Sequence, residues 1–234
     1  PLQIARSAAA LADLRQDGIM VGLGSGSARA RSAIGASHDD PALTMRSAVL
    51  AIKALVAGET VSMEAPTFRL DRARLRRLPP HPVELFVTAR DTETIRLAGE
   101  VADGVIVDGA ATADAISAIR ALIGEARPAG APRPRIVAWN LVICADDTPA
   151  VYASLRRNLG RTIADLSDDF AALHGLDPEL VAAVRVAVAA EDRARLADLL
   201  TEAVINRLVI VGGPEDCSAR LLALEAAGLD MLAV

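Results

Sequence analysis

VELFVTARDTETIRLAGEVADGVIVDG, residues 83–109, reads as one β-α-β unit: a buried apolar strand, an amphipathic turn and helix, and a second buried strand. In so compact a unit the loop after the first strand, Thr88 to Thr92, falls at the carboxyl edge of a parallel sheet, against a helix N-terminus. Free backbone N–H groups and the helix dipole make that edge the usual phosphate-binding place of α/β proteins.

Upstream, Ile4, Ala8, Leu11 and Leu14 recur at helical spacing until Asp17-Gly18 breaks the pattern. Ile19 to Leu23 then predicts a short strand running into GLGSGS, residues 22–27, whose glycines permit positive φ and close approach of the backbone to a ligand. The spacing is G-x-G-x-G rather than the dinucleotide fingerprint, and a plain tight turn explains it equally well. Residues 42–57 predict a helix with Leu43, Val49, Ile52, Leu55 and Val56 on its apolar side and Gly58 as its stop. Glu59 to Pro82 keeps no period, carries Pro66, Pro79, Pro80 and Pro82, and reads as a long loop.

Downstream, Asp103-Gly104 leads into a strand at Val105 to Val107, and Ala115, Ile116, Ile119, Leu122 and Ile123 mark a helix. A proline-rich linker, Pro128 to Pro134, precedes one strand from Ile136 to Cys144, interrupted in its apolar character by Trp139 and Asn140. The stretch 147–204 predicts consecutive helices, with breaks near Gly160, at Gly175 to Pro178 and near Ala190, forming a helical insertion. Leu208 to Val211 leads to Gly212-Gly213-Pro214-Glu215, where proline suits a first helical turn. That helix runs to Gly228, and Met231 to Val234 closes the chain as a strand. Strands near residues 19, 84, 104, 136 and 230, separated by helices, predict an α/β fold with a parallel sheet. The rhythm alone allows an open doubly wound sheet or part of an eight-stranded barrel.

With 234 residues and 52% hydrophobic content, the chain can bury one large core, and 2% aromatics makes that core Ala, Leu, Val and Ile. A net charge of −5 and a basic cluster, Arg69 to Arg77, without interleaved aromatics argue against nucleic acid and for a solvated loop or helix face. Cys144 and Cys217 lie far apart in sequence and read as buried thiols in a reducing compartment. No apolar run approaches the ~20 residues that cross a bilayer. The expectation is a soluble, cytoplasmic protein with no membrane partner. The chain starts at Pro1, which predicts that something upstream is missing.

GLGSGS, then LVAGETVS (55–62) with Phe68, then PHPVELFVTARDTETIRLAGEVADGVIV (80–107), then IVGGPEDCSARLLALEAAGLDMLAV (210–234), resembles in order the bacterial-luciferase-like flavin and deazaflavin oxidoreductases, which include methylenetetrahydromethanopterin reductase. LAGEVADGVIV is the most specific part. The resemblance implies a (β/α)8 TIM barrel, of which this chain covers strands 4 to 8, with the helical insertion before the last strand. A barrel lacking three strands exposes two sheet edges, so the expectation is a longer protein or, second, pairing with another fragment or copy.

The resemblance further implies FMN or the deazaflavin coenzyme F-420 at the carboxyl ends of the strands, small-molecule substrate above the ring, hydride transfer, and a homodimer. Gly24, Ser25 and Gly26 match the glycine loop at the ring end, and Thr88, Ala89, Arg90, Asp91 and Thr92 match the phosphate loop. The family commonly has Gly-Pro where this chain has Asp91-Thr92, and its deazaflavin-using members often have an acidic residue where this chain has Ser27. Asp91 beside a phosphate adds repulsion; its other reading is an N-cap acting on Thr94. Trp139 and Asn140 are candidates for a substrate pocket, Trp139 equally for buried packing. His38 and His81 read as loop residues near strand mouths, and His174 sits in the insertion without an evident partner. No nucleophile triad, metal set or carboxylate pair stands out, and no catalytic side chain is assigned. Alternatives are an FMN-dependent monooxygenase, a degenerate non-catalytic relative serving binding or assembly, and an open-sheet nucleotide enzyme. The last needs an acidic residue about 20 positions after the glycines, where Asp39 and Asp40 lie too close.

Overall fold

Leu85, Phe86 and Val87 are buried, as is Ala89, along the strand Val83–Ala89. Such near-continuous burial is what a central parallel strand covered on both faces requires. The computed structural model describes residues 1–26, 32–33 and 40–234. In chain order these hold α1 (Leu2–Ala12), β1 (Ile19–Leu23), α2 (Pro41–Val56), β2 (Val61–Ala65), β3 (Phe68–Ala73), β4 (Val83–Ala89), α3 (Thr92–Val101), β5 (Gly104–Asp108), α4 (Ala113–Ala126), β6 (Arg135–Trp139) and β7 (Val142–Cys144). There follow α5 (Thr148–Ala164), α6 (Asp168–Leu173), α7 (Pro178–Ala189), α8 (Arg193–Leu199), α9 (Glu202–Ile205), β8 (Ile210–Gly212), α10 (Pro214–Ala226) and β9 (Met231–Ala233).

The main sheet runs β1-β4-β5-β6-β9, every pair parallel, in the five places that the sequence predicts. Strand order follows chain order without a reversal, so right-handed crossovers put every connecting helix on the same face. The contacts α1·α2, α2·α3, α3·α4 and α4·α10 trace that single outer layer. A doubly wound sheet would alternate faces at a switch point, and this one has none. The open alternative therefore resolves to a curled arc of a barrel.

Two carboxylates pin the amino edge of the arc. Asp103, just before β5, accepts from Leu85 N–H at 2.8 Å and from Lys53 Nζ at 2.7 Å. Asp230, just before β9, accepts from Ile136 N–H at 2.8 Å and from Arg120 and Arg133. Burial alone would raise the Asp230 carboxyl, but these partners outweigh it and hold it below its ordinary value.

Several expectations are corrected. The stretch 59–82 is not an unstructured loop: Val61–Ala65 and Phe68–Ala73 form an antiparallel hairpin turning at Pro66-Thr67. Its apolar set, Val61, Met63, Phe68 and Leu70, packs on the core, while Arg72 bends to φ 46 with its N–H on Ser62 Oγ. The basic cluster thus begins on a strand rather than a helix. The strand expected over Ile136 to Cys144 breaks at Asn140-Leu141, and β7 leaves the main sheet to pair in parallel with β8. Gly160 interrupts nothing; α5 runs through it, and the missing Cβ makes room for Leu196 and Val188. In α1 the buried face is Ala5, Ala8, Ala9 and Ala12, whereas Ile4 and Leu11, and Leu14 in the turn after the helix, are exposed, because small residues let the helix lie close to its neighbours. Leu43, expected on the apolar side of α2, is likewise exposed. Cys144 is exposed, and only Cys217 is a buried thiol.

Candidate functional site at the carboxyl edge of the sheet

Pairing of β1 with β4, Leu23 opposite Val87, brings the two predicted loops side by side. Thr88 Oγ1 donates to Leu23 O at 3.1 Å, and a Cβ on Gly24 would overlap that hydroxyl. Gly24 is therefore bare for a packing reason, whatever else it does. Gly26 takes φ +73, and Gly24, Ser25 and Gly26 are exposed. Ser27, His38 and Asp39 lie outside the described residues.

The second loop is occupied by the chain's own carboxylates. Asp91 N-caps α3: its Oδ1 accepts from Thr94 N–H at 2.6 Å and its Oδ2 from Thr94 Oγ1 at 2.9 Å. The capping reading of Asp91 holds, as expected of an aspartate three residues before its partner N–H. Arg90 reaches sideways to Asp108 at the end of β5, 2.7 Å away, both half exposed. Thr92 donates its N–H at 2.8 Å and its hydroxyl at 2.6 Å to Asp169 Oδ2, on α6. Ser167 Oγ donates to Arg90 O at 3.3 Å, tying the same segment down. Burial would raise Asp169, but hydrogen bonds from Ser167, Thr92 and the N–H groups of Thr92 and Phe170 win and hold it at about 2.

Asn140, after β6, is buried; its N–H donates to Ala233 O at 3.0 Å and Nδ2 to Ala110 O at 2.8 Å. Oδ1 has no protein partner. Trp139 is 62% exposed at the same edge, so it does not serve as buried packing. His81 stands two residues before β4, at the amino edge, away from the strand mouths where the sequence reading put it. His174 is buried on the C-cap of α6, edge-on to Phe170, with both ring nitrogens unpartnered. Among the described residues no group of three or more His, Cys, Asp or Glu is placed to hold a metal, and no helix is long and apolar enough to cross a membrane.

Asp169, Ser167 and Asp108 were not among the residues singled out from sequence. Asp169 sits 77 residues from Thr92, beyond any local spacing rule. Its only sequence signal is Ser167-Asp168-Asp169, which reads as an ordinary helix start.

The family profile described as luciferase-like monooxygenase matches residues 1–231. This chain belongs to that family. It is 27% identical over 205 residues to 5,10-methylenetetrahydromethanopterin reductase of Methanolobus tindarius, covering 86% of this chain and 63% of the relative. This member of the luciferase-like family thus spans under two thirds of that relative's length. Its fold matches the coenzyme F-420 dependent tetrahydromethanopterin reductase of Methanopyrus kandleri with TM-score 0.80 at 19% identity, over 100% of this chain and 73% of the other. It also matches the oxygenating constituent of 3,6-diketocamphane monooxygenase from Pseudomonas putida, in complex with FMN, with TM-score 0.63 at 19% identity, over 99% and 68%. The parallel arc is accordingly part of a TIM-barrel fold.

A flavin or deazaflavin presents a flat ring and an anionic tail. The exposed backbone of Gly24 to Gly26, two of its three residues without a side chain, suits the ring end. At the tail end the α3 donors suit an anion, as the bound Asp169 carboxylate illustrates, provided Asp169 yields Thr92.

Proposed function

We propose that the carboxyl edge of the sheet holds coenzyme F-420 or, second, FMN, and that the protein transfers a hydride between that ring and a small organic substrate. The observation that carries this reading is the adjacency, at one edge, of the open Gly24–Ser25–Gly26 loop and the Thr88, Ala89, Arg90, Asp91, Thr92 loop. The reductase names of the relatives favour F-420; the FMN-bound monooxygenase supports the alternative that the chain is an FMN-dependent monooxygenase. When bound, the ring supplies the hydride chemistry. Gly24 to Gly26 would flank it, and the N–H groups of residues 88–92 with the Thr92 hydroxyl would hold the tail. Trp139 would cover the substrate side, with the buried Asn140 behind it holding the end of β6 through Ala110 O and Ala233 O.

Within this reading the protein works in the cytoplasm as a homodimer, and residues 147–204 act as an inserted unit over the site. The free thiols and the exposed Ile4 and Leu11 of α1, with Leu14 just after it, support the first two points, and sedimentation tests the second.

Melting curves with F-420 and with FMN test the reading. A ligand at 100 times its Kd stabilises by about 2.7 kcal/mol, a shift of roughly 5–10 °C that grows with concentration. Flat curves over a wide range of both ligands would sink it.

A second reading, a degenerate relative that binds or assembles without catalysis, is favoured by Asp91 and Asp169 holding the first-turn donors of α3. Asp91→Gly separates the two. A large gain in cofactor affinity would mark a site lost by degeneration, and a loss would mark the aspartate as part of a working site.

A further inference from the structure

The two cysteines, 73 positions apart in sequence, meet at the base of the helical stretch α5 to α9. Cys144 ends β7, opposite Gly212 of β8, and is exposed. The chain turns after β8 directly into α10, whose fourth residue is Cys217. That turn folds Cys217 back over the β7–β8 ribbon: its Sγ donates to Gly212 O at 3.5 Å and lies 3.8 Å from the carbonyl of Ile143, the neighbour of Cys144. Cys217 Sγ thus contacts the carbonyls of both the residue before Cys144 and the residue paired with it across the ribbon. Neither thiol takes part in the site at the carboxyl edge.

We propose that Cys144 and Cys217 form a reversible disulfide, with a low-molecular-weight disulfide as oxidant. The exposed Cys144 thiolate attacks one sulfur of the small disulfide and expels one small thiol, leaving a mixed disulfide on Cys144. The Cys217 thiol then gives its proton to solvent and attacks Cys144 Sγ, expelling the second small thiol. Two protein thiols are oxidised to one disulfide, and one small disulfide is reduced to two thiols.

The order of events follows from the surroundings. Burial first, and then the neighbouring Cys144, push the Cys217 thiol up from its usual range, so it resolves the mixed disulfide rather than starting the exchange. The bond would join the strand that leads into α5 to the helix that follows the return strand β8, closing the whole helical stretch into one covalent loop. Such a loop removes conformational freedom chiefly from the unfolded chain. The inference goes beyond the proposed hydride chemistry and does not rest on it.

Incubating the reduced full chain with oxidised glutathione, followed by intact mass, peptide mapping and melting, tests it. The expected course is a transient glutathione adduct, then an adduct-free protein lighter by two hydrogens, with a peptide linked through Cys144 and Cys217. Tm should rise on the order of 5 °C and fall back with dithiothreitol. Cys217→Ala should stop at a stable adduct on Cys144, and Cys144→Ala should take no adduct. A wild-type protein that keeps its adduct on Cys144 with Cys217 free, or in which neither thiol reacts, overturns the proposal. The wild-type mass decides the matter even where a variant fails to fold.

Discussion

Asp169 Oδ2 accepts both the N–H and the hydroxyl of Thr92, so α6 ends its approach to the sheet on the first turn of α3. An anion-seeking helix N-terminus is thereby satisfied from within the chain. A ligand phosphate or carboxylate using Thr92 must displace that carboxylate. Asp169→Asn keeps the size and weakens the bond by about 1 kcal/mol, a several-fold gain in affinity for an anionic cofactor. Titration calorimetry of both proteins with F-420 and FMN measures it; unchanged or weaker binding in the variant removes Asp169 as a competitor.

The same contact loosens in acid. The folded Asp169 pKa, about 2, lies below its ordinary 3.8, so its stabilising contribution is present above about pH 4 and lost as pH falls towards 2. The residue is exposed, and solvent screening keeps the contribution at roughly 1 kcal/mol or less. Amide exchange at Thr92 should speed up across that window in the wild type and show no such step in Asp169→Asn.

His174 gives a second acid response at a higher pH. Burial holds the ring at about 4 instead of 6.5, and no partner offsets the lost hydration. The unfolded chain takes up the proton first, so stability is intact above about pH 6.5, declines as pH falls, and this loss is complete near 4. The span corresponds to something on the order of 3 kcal/mol. His174→Leu, which keeps an apolar group against Phe170, should flatten the denaturation midpoint between those pH values. An identical pH profile in the variant would assign the acid loss to other groups.

Gly24 and Thr88 make a coupled pair. Gly24→Ala drives a Cβ into the Thr88 hydroxyl and should destabilise by about 1–3 kcal/mol, lowering Tm by several degrees. Adding Thr88→Ala removes the obstacle, so the double variant should be more stable than the sum of the single losses. Additive losses in urea unfolding would show that the strain lies elsewhere.

Asp91→Ala removes the α3 cap and should cost about 1 kcal/mol by chemical denaturation. A much larger loss would mean that the Asp169 contact fails with it.

Legibility in the sequence divides by distance along the chain. The five parallel strands, the Asp91 cap on Thr94 and the Pro214 helix start are read from periods and spacings of a few residues, because such patterns obey backbone geometry that every chain shares. The hairpin of 61–73 hides because its prolines and arginines mask a period-2 alternation only a few residues long on each strand. Trp139 and Asn140 stand next to each other, yet one is exposed and the other buried, since the chain turns out of the sheet between β6 and β7.

By itself, then, the sequence determined the parallel α/β rhythm, the likeness to the luciferase-like family and the two loops at the carboxyl edge, all properties of contiguous stretches. Tertiary structure alone decided that the sheet curls one way, that Asp169 sits on Thr92, that Cys144 meets Cys217 and that His174 is sealed without a partner. Those relations depend on which helix packs over which strand, and packing joins residues that no spacing links.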